Sequence, residues 1–198
     1  MIRRPPRSTL DRSSAASDVY KRQAFGSGLA AIDAVMKLVK PGDRVIAGDD
    51  MYGGTFRLFD KVLKPLGYEF VYVDMRDPEN VKNAITSNTK MIYAETPTNP
   101  MMRLCDLSAI GIVAKDSDCI FVVDNTFMSP YLQNPLLLGA SISLHSSTKY
   151  IGGHSDVVGG VVVTNDAIIS EKLKFIQNAC GAIPGLSLIH ISEPTRPY

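Results

Sequence analysis

Short apolar runs rich in β-branched residues alternate with helix-like stretches through the middle of this 198-residue chain. The first helix-like stretch runs from Ala30 to Lys40, where apolar side chains recur at helical spacing until Pro41 and Gly42 stop the pattern. Strands that alternate with helices favour a mainly parallel sheet with helices on both faces. The pattern therefore predicts a single α/β domain.

The predicted strands are apolar runs bounded by polar residues or glycine: Arg44–Ala47, Glu69–Val73, Lys90–Ala94, Ile120–Val123, Ser141–Leu144 and Val157–Val163. The other predicted helices are Thr55–Leu66, Pro78–Ile85, Leu107–Lys115 and Ala167–Asn178. Open α/β sheets bind ligands in the crevice beyond the carboxyl ends of their strands. Polar residues that directly follow an apolar run are therefore the candidates for a functional site.

Both ends of the chain differ from its middle. Residues 1–23 are basic, rich in Ser and Pro and without periodicity, and they resemble translated sequencing-adapter DNA, as do residues 186–198. We therefore expect two non-native segments around a body of residues 24–185 that looks cut from something longer. A disordered basic arm that binds an acidic partner is the alternative for the N-terminal segment.

Charge, hydropathy and cysteine content narrow the function class. The body carries 14 Lys and Arg against 17 Asp and Glu, without a basic patch, which argues against nucleic acid as a partner. The apolar runs are too short to span a bilayer and no secretory signal opens the chain, so we expect no membrane partner and a cytoplasmic location. Cys105, Cys119 and Cys180 lack the spacing of a disulfide framework or a metal site, so we expect reduced thiols and no metal.

A lysine follows the fifth predicted strand within a cluster of hydroxyl and glycine residues. Ser146 and Thr148 precede Lys149 by three residues and one residue, and Gly152 and Gly153 follow it. A lysine at the end of a buried strand should be partly desolvated, which favours the neutral amine. Because only the neutral amine attacks an aldehyde, the cluster predicts a nucleophilic lysine rather than a solvated surface charge.

Four further segments occupy the predicted crevice. Asp124 directly follows the strand ending at Val123 and places a carboxylate there, although it could also cap the next element. Gly26–Gly28 begins the first helix, where free amide groups and the helix dipole suit a phosphate. Tyr52–Thr55 adds an aromatic ring at the same edge, and Glu95–Pro100 follows another strand. Each of these segments alone could be a simple turn.

Taken together, these motifs resemble the Cys/Met-metabolism family of pyridoxal-phosphate enzymes, in its cystathionine γ-synthase and γ-lyase branch. The strings that carry the resemblance are VVDNTF, HSSTKYIGGHSDVVGG, YGGTFRLF and AETPTNP, and the match covers nearly all of residues 24–185. The resemblance implies an incomplete large domain of a fold-type I transferase. It also implies a lyase or transferase of transsulfuration, in cysteine and methionine biosynthesis, with pyridoxal 5′-phosphate as cofactor and a small amino acid as substrate.

The resemblance assigns a role to each candidate residue. Lys149 would hold the cofactor as a Schiff base and act as general base, and Asp124 would pair with the pyridine nitrogen. Tyr52 would stack on the ring and assist proton transfer, while Asn99 would contact the ring hydroxyl. The phosphate would be bound by main-chain amides and hydroxyls of Gly28, Leu29, Ser146 and Thr148.

The same resemblance implies a homotetramer built from dimers that share active sites. Family members also have an N-terminal arm that reaches a neighbouring subunit and a C-terminal domain that binds the substrate carboxylate. Nothing here matches either part, so we expect the chain as written to lack turnover. With Gly54 and Ser155 in its motifs, the resemblance implies γ-elimination or γ-replacement on cystathionine or an activated homoserine, with methionine γ-lyase and O-acetylhomoserine sulfhydrylase as alternatives.

Two other hypotheses stay open at this point. Gly26–Ala31 satisfies the GxGxxA pattern of dinucleotide-binding proteins, with Asp50 downstream. That pattern demands a preceding strand, for which only residues 23–25 remain, and it gives Lys149 no purpose. The third hypothesis is a binding fragment without independent activity.

Overall fold

The computed structural model describes residues 21–185. Seven strands form one sheet: β1 (Lys21–Phe25), β2 (Arg44–Gly48), β3 (Glu69–Val73), β4 (Thr89–Glu95), β5 (Ile120–Asp124), β6 (Ile142–Ser146) and β7 (Gly160–Thr164). Their spatial order is β1-β7-β6-β5-β4-β2-β3. All six predicted strands are present, with ends that differ by up to three residues.

In the described part of the chain, six α-helices accompany the sheet: α1 (Gly28–Met36), α2 (Gly53–Arg57), α3 (Pro78–Ala84), α4 (Leu107–Asp116), α5 (Ser129–Leu132) and α6 (Ala167–Cys180). The helix α2 continues as a π-helix over Leu58–Leu63 and a 3₁₀ turn over Lys64–Leu66, and a further 3₁₀ turn covers Pro135–Leu138. Within residues 21–185, no helix combines the length and the apolar character that a membrane crossing requires.

The five strands β3, β2, β4, β5 and β6 run parallel, which confirms the predicted mainly parallel α/β fold. The strand β7 instead pairs antiparallel with β6 on one side and with β1 on the other. A parallel neighbour needs a crossover connection, usually a helix, and only a loop joins β6 to β7. The sheet is therefore mixed at this end.

Side chains of the central strands alternate between two cores, one on each face of the sheet. In β4, Met91 and Tyr93 belong to the core beneath α1 and α6, whereas Ile92 and Ala94 belong to the core beneath α3 and α4. This alternation is the period of two expected for a strand buried on both faces. Parallel pairing brings the carboxyl ends of β4, β5 and β6 to the same edge.

The N-terminal part contains a strand that the sequence does not predict and a helix with ends that differ from the prediction. Residues 21–23, the end of the predicted adapter-like segment, form the first part of β1, and the buried Gln23 side chain donates to the Ser170 carbonyl at 2.9 Å. The predicted helix at Ala30–Lys40 instead begins at Gly28 and ends at Met36. The Leu38 and Val39 amides donate to the carbonyls three residues before them, so tight turns replace the end of the predicted helix. The other predicted adapter-like residues, 1–20 and 186–198, lie outside the described part of the chain.

Candidate functional site

Two acidic residues end adjacent strands at the carboxyl edge of the sheet. Glu95 is the last residue of β4, Asp124 is the last residue of β5, and the two are paired in register. The two predicted crevice segments that follow β4 and β5 therefore start at neighbouring carboxyl groups. Tyr93, two residues before Glu95, projects on the same face, since side chains of a strand alternate.

The carboxyl group of Asp124 is buried and partly satisfied by hydrogen bonds. Its Oδ1 accepts from the Thr126 amide at 3.0 Å and from the Thr126 hydroxyl at 2.6 Å, and its Oδ2 accepts from the Tyr93 hydroxyl at 3.2 Å. Burial raises the pKa of Asp124, although the bonds from Thr126 and Tyr93 oppose that shift. The residue thus both supports a local turn and presents an acid to the crevice.

Thr126 joins the acid to the next strand. While its hydroxyl donates to Asp124, the same oxygen accepts from the Ser146 amide at 2.8 Å. Ser146 is the last residue of β6 and lies against the start of α1. One threonine hydroxyl therefore fixes Asp124 relative to the segment that was predicted to bind phosphate.

The start of α1 and Ser146, which together we call the phosphate cradle, lie in close contact because Gly28 has no side chain. A Cβ at Gly28 would lie 2.8 Å from Ser146 Cβ and 3.0 Å from its hydroxyl oxygen. The Ser27 side chain accepts the Ala30 amide at 3.0 Å and the Ser27 carbonyl accepts the Ala31 amide. The amides of Gly28 and Leu29 precede the first intrahelical donor, so they stay available to an anion beside Ser146.

Tyr52 and Asn99 meet at the carboxylate of Glu95. The Tyr52 amide donates to Oε2 at 2.9 Å and the Asn99 amide donates to Oε1 at 2.8 Å. Burial raises the pKa of Glu95 to about 8, with a further contribution from the charge of Asp124. The Tyr52 ring is half-exposed and lies directly against Gly54, in the space that a side chain at Gly54 would take.

Lys149 lies in the loop after β6, and the structure differs from the sequence-based expectation about its environment. Its amide donates to the Ser146 carbonyl at 3.2 Å, which places it close to the phosphate cradle. The side chain is exposed, however, and not partly desolvated as predicted. The reason is that Lys149 belongs to a surface turn rather than to the buried strand itself.

Thr148, in the same loop, is occupied by protein contacts. Its hydroxyl accepts from the Gly159 amide at 3.1 Å and donates to the Gly159 carbonyl at 3.3 Å. The loop is thereby fastened to the segment that leads into β7. A phosphate role for Thr148 would require its hydroxyl hydrogen to turn from the Gly159 carbonyl toward the phosphate, because phosphate oxygens only accept hydrogen bonds.

The residues present fit pyridoxal phosphate in two respects. Gly28 lets the amide end of α1 lie directly against the Ser146 hydroxyl, where a phosphate would be held, and Asp124 supplies a buried acid that would pair with a ring nitrogen. The dinucleotide hypothesis fits less well, although β1 does precede Gly26. A dinucleotide-binding fold needs β1 and β2 to be parallel strands of one sheet, joined by a helical crossover. Here β1 is an edge strand that runs antiparallel to β7.

Sequence reasoning misses two residues of this site, Tyr93 and Thr126, and it places Glu95 at the start of a crevice segment without giving it a role. Thr126 follows Asp124 by two residues, which is the spacing of an Asx turn, so the pattern could have been found. Tyr93 and Glu95 lie in an apolar strand, and only the pairing of β4 with β5 brings them to Asp124. Their positions depend on tertiary structure, which local sequence patterns do not contain.

Comparison with known proteins identifies the family of the chain. Residues 3–187 match the family model described as Cys/Met metabolism PLP-dependent enzyme. A probable cystathionine γ-synthase of Herpetosiphon aurantiacus is 52% identical over 182 residues, 91% of this chain and 57% of that protein. A cystathionine β-lyase of Lactococcus lactis subsp. cremoris is 51% identical over 82% of this chain and 43% of its own length.

A solved structure gives the same result for the fold. The cystathionine γ-lyase of Lactobacillus plantarum, complexed with L-serine, superposes with a TM-score of 0.85 at 50% identity, over 86% of this chain and 45% of that one. The chain spans about half the length of the relatives it matches. Because the family model covers most of the chain and these relatives are about half identical to it, the chain belongs to the Cys/Met-metabolism family of pyridoxal-phosphate-dependent enzymes.

Proposed function

We propose that the complete protein is a pyridoxal-phosphate-dependent lyase or transferase of sulfur amino acids. The observation that carries this proposal is the Thr126 hydroxyl, which ties Asp124 to Ser146. It holds an acid and a phosphate cradle in a fixed relation, as a ligand with a basic ring nitrogen and a phosphate requires. When bound, pyridoxal phosphate supplies an electron sink for negative charge at the substrate carbons.

Each residue then has a physical task. The Gly28 and Leu29 amides, with the Ser146 and Thr148 hydroxyls, bind the phosphate. Asp124 keeps the ring nitrogen protonated, and the contacts from Thr126 hold its carboxylate in place. Tyr52 covers one face of the ring and Asn99 contacts its hydroxyl. Lys149 binds the cofactor covalently and moves protons at the substrate carbons, for which its exposed and flexible side chain has the necessary reach.

A visible absorption titration tests the proposal. The 198-residue chain is mixed with pyridoxal phosphate in one series and with NAD in another. We expect a shifted cofactor band with pyridoxal phosphate that saturates at one equivalent per chain, and no saturable change with NAD. Saturable binding of NAD alone would instead support the dinucleotide hypothesis.

We expect the phosphate cradle to be sensitive to a single methyl group. Gly28→Ala places Cβ within 2.8 Å of Ser146 Cβ, so α1 or the end of β6 must shift and the affinity for pyridoxal phosphate should fall at least tenfold. Gly53→Ala is the matched control, because Gly53 also begins a helix and its Cβ would meet nothing within 4 Å. Equal affinities for the two variants would contradict the assigned cradle.

We also propose that the complete protein works at the γ-carbon of cystathionine or of an activated homoserine. This chemistry needs successive proton removals at the α- and β-carbons, and a single mobile base such as Lys149 can serve both. The Tyr52 ring occupies the space beside Gly54, so a larger residue at position 54 would displace it. Methionine γ-lyase and O-acetylhomoserine sulfhydrylase remain the alternative activities.

Steady-state assays of the complete protein decide this choice. We expect kcat/KM for cystathionine or O-succinylhomoserine to exceed that for methionine by at least tenfold. Release of 2-oxobutyrate from cystathionine marks cleavage at the γ-carbon, whereas pyruvate marks cleavage at the β-carbon. Pyruvate as the main product, or methionine as the best substrate, would contradict the proposal.

Assembly and location belong to the same proposal. We propose a homotetramer built from dimers that share active sites, as the family resemblance implies. Cys105, Cys119 and Cys180 are free thiols, which supports a reducing compartment, and we propose the cytoplasm.

A further inference from the structure

Glu95 is a site carboxylate to which the proposed function gives no task. It ends β4 beside Asp124, and its two oxygens accept main-chain N–H groups from two separate loops. One donor is Tyr52, which precedes α2 in the loop after β2. The other is Asn99, in the loop after β4. A single side chain thus connects the two residues that were assigned to the face and the hydroxyl of the ring.

A carboxyl group at position 95 costs folding free energy, which a residue with a merely structural role would not need to do. The Glu95 carboxyl group is largely removed from water and faces a second carboxyl group, that of Asp124, so its charge is disfavoured. A neutral glutamine has nearly the same shape but only one side-chain oxygen, and its amide nitrogen cannot accept an N–H. Only a carboxyl group can accept both amides with separate oxygens.

We propose that Glu95 is a positioning residue, which holds Tyr52 and Asn99 at fixed places relative to Asp124. The proposal rests on the proposed function, because it takes Tyr52 and Asn99 as the ring contacts. A second bond joins the same two loops, from the Thr98 hydroxyl to the Asp50 carboxylate. That bond involves neighbouring residues, so the loops stay connected without Glu95 while the Tyr52 and Asn99 amides lose their common acceptor.

Amide hydrogen exchange of the cofactor-free chain tests the clamp directly. In Glu95→Ala, we expect the Tyr52 and Asn99 amides to exchange at least tenfold faster than in the wild type. In Glu95→Gln, one of the two amides should keep its protection, since one acceptor oxygen remains. Glu171→Gln, an exposed change on α6, is the control and should leave both rates unchanged. Wild-type rates at both amides in Glu95→Ala would overturn the proposal.

Circular dichroism of bound pyridoxal phosphate provides a second readout, at the cofactor band. A positioned aromatic ring makes the cofactor environment asymmetric, so we expect Glu95→Ala to lose at least half of the band and to bind about tenfold more weakly. Glu95→Gln should lie between Glu95→Ala and the wild type, and if Glu95→Ala does not fold, Glu95→Gln replaces it in both measurements.

The exchange rates and the cofactor band together distinguish a failure of the proposed function from a failure of the positioning role of Glu95. If the wild-type chain shows no cofactor band, the proposed function fails, while the exchange rates still decide whether Glu95 holds both loops. If the band and the affinity of a folded Glu95 variant equal those of the wild type, the positioning role is wrong even though the cofactor binds.

Discussion

Borohydride reduction of the chain with pyridoxal phosphate is expected to leave the label on Lys149, and Lys149→Ala is expected to abolish it. The position of Lys149 beside the phosphate cradle is the physical reason. Lys149 follows β6, and its amide bonds to Ser146, whose side chain borders the Gly28 cradle. If the cradle holds the cofactor by its phosphate, as proposed, the aldehyde would lie near this lysine, and the effective concentration of the amine would rise by orders of magnitude.

Peptide mapping after reduction provides the measurement, and two other lysines provide the control. Lys172 and Lys174 are exposed on α6, and they lie outside the candidate site. We expect Lys172→Ala and Lys174→Ala to retain the wild-type stoichiometry of label on Lys149. Label on Lys172 or Lys174, or undiminished label in Lys149→Ala, would show that the amine is misassigned.

The strands, and the polar residues that follow them at the edge of the sheet, could be predicted because both depend on local pattern. The apolar run of β5 is followed at once by Asp124, and the loop after β6 contains Lys149. The direction of β7 could not be predicted in the same way. Its sequence, GVVVT, is as apolar and β-branched as a parallel strand, and only the absence of a helix between β6 and β7 makes it antiparallel.

The environment of a site residue was harder to predict than its identity. Lys149 was expected to be partly desolvated, but a turn that begins at Ser147 carries it out to the surface. For Glu95 the partner was unpredictable, because no local pattern indicates that it accepts the Tyr52 amide, 43 residues away. Burial and long-range partners depend on how the strands are ordered in the sheet, and that order is non-local.

Asp124→Asn is expected to separate activity from stability. In the complete protein, asparagine keeps the shape of the side chain but cannot hold a ring nitrogen in its protonated form, so kcat/KM should fall by about 100-fold or more. A purely structural Asp124 would instead tolerate the change, because the asparagine carbonyl still accepts from Thr126 and its NH₂ group can donate to Tyr93.

The same substitution, Asp124→Asn, should raise the stability of the cofactor-free chain. Burial raises the pKa of Asp124 above its unfolded value of about 3.9, so the folded chain holds this proton more tightly than the unfolded chain does. Stability therefore falls as the pH rises from about 4 through the raised pKa, and Glu95, with a pKa of about 8, adds a fall of the same sign. Asp124→Asn removes the contribution of Asp124 to this fall in stability. It also removes the negative charge that raises the pKa of Glu95.

We therefore expect Asp124→Asn to be more stable than the wild type at neutral pH, by about 1–3 kcal/mol, with a flatter dependence between pH 5 and 9. Urea unfolding of both chains across this range provides the measurement, and Asp116→Asn, an exposed change at the end of α4, is the control. A loss of stability on Asp124→Asn at neutral pH would mean that the ionised carboxylate serves the fold itself. A gain in stability together with the loss of activity would mean that the buried acid is kept for its ligand, because the fold is better served by the neutral side chain.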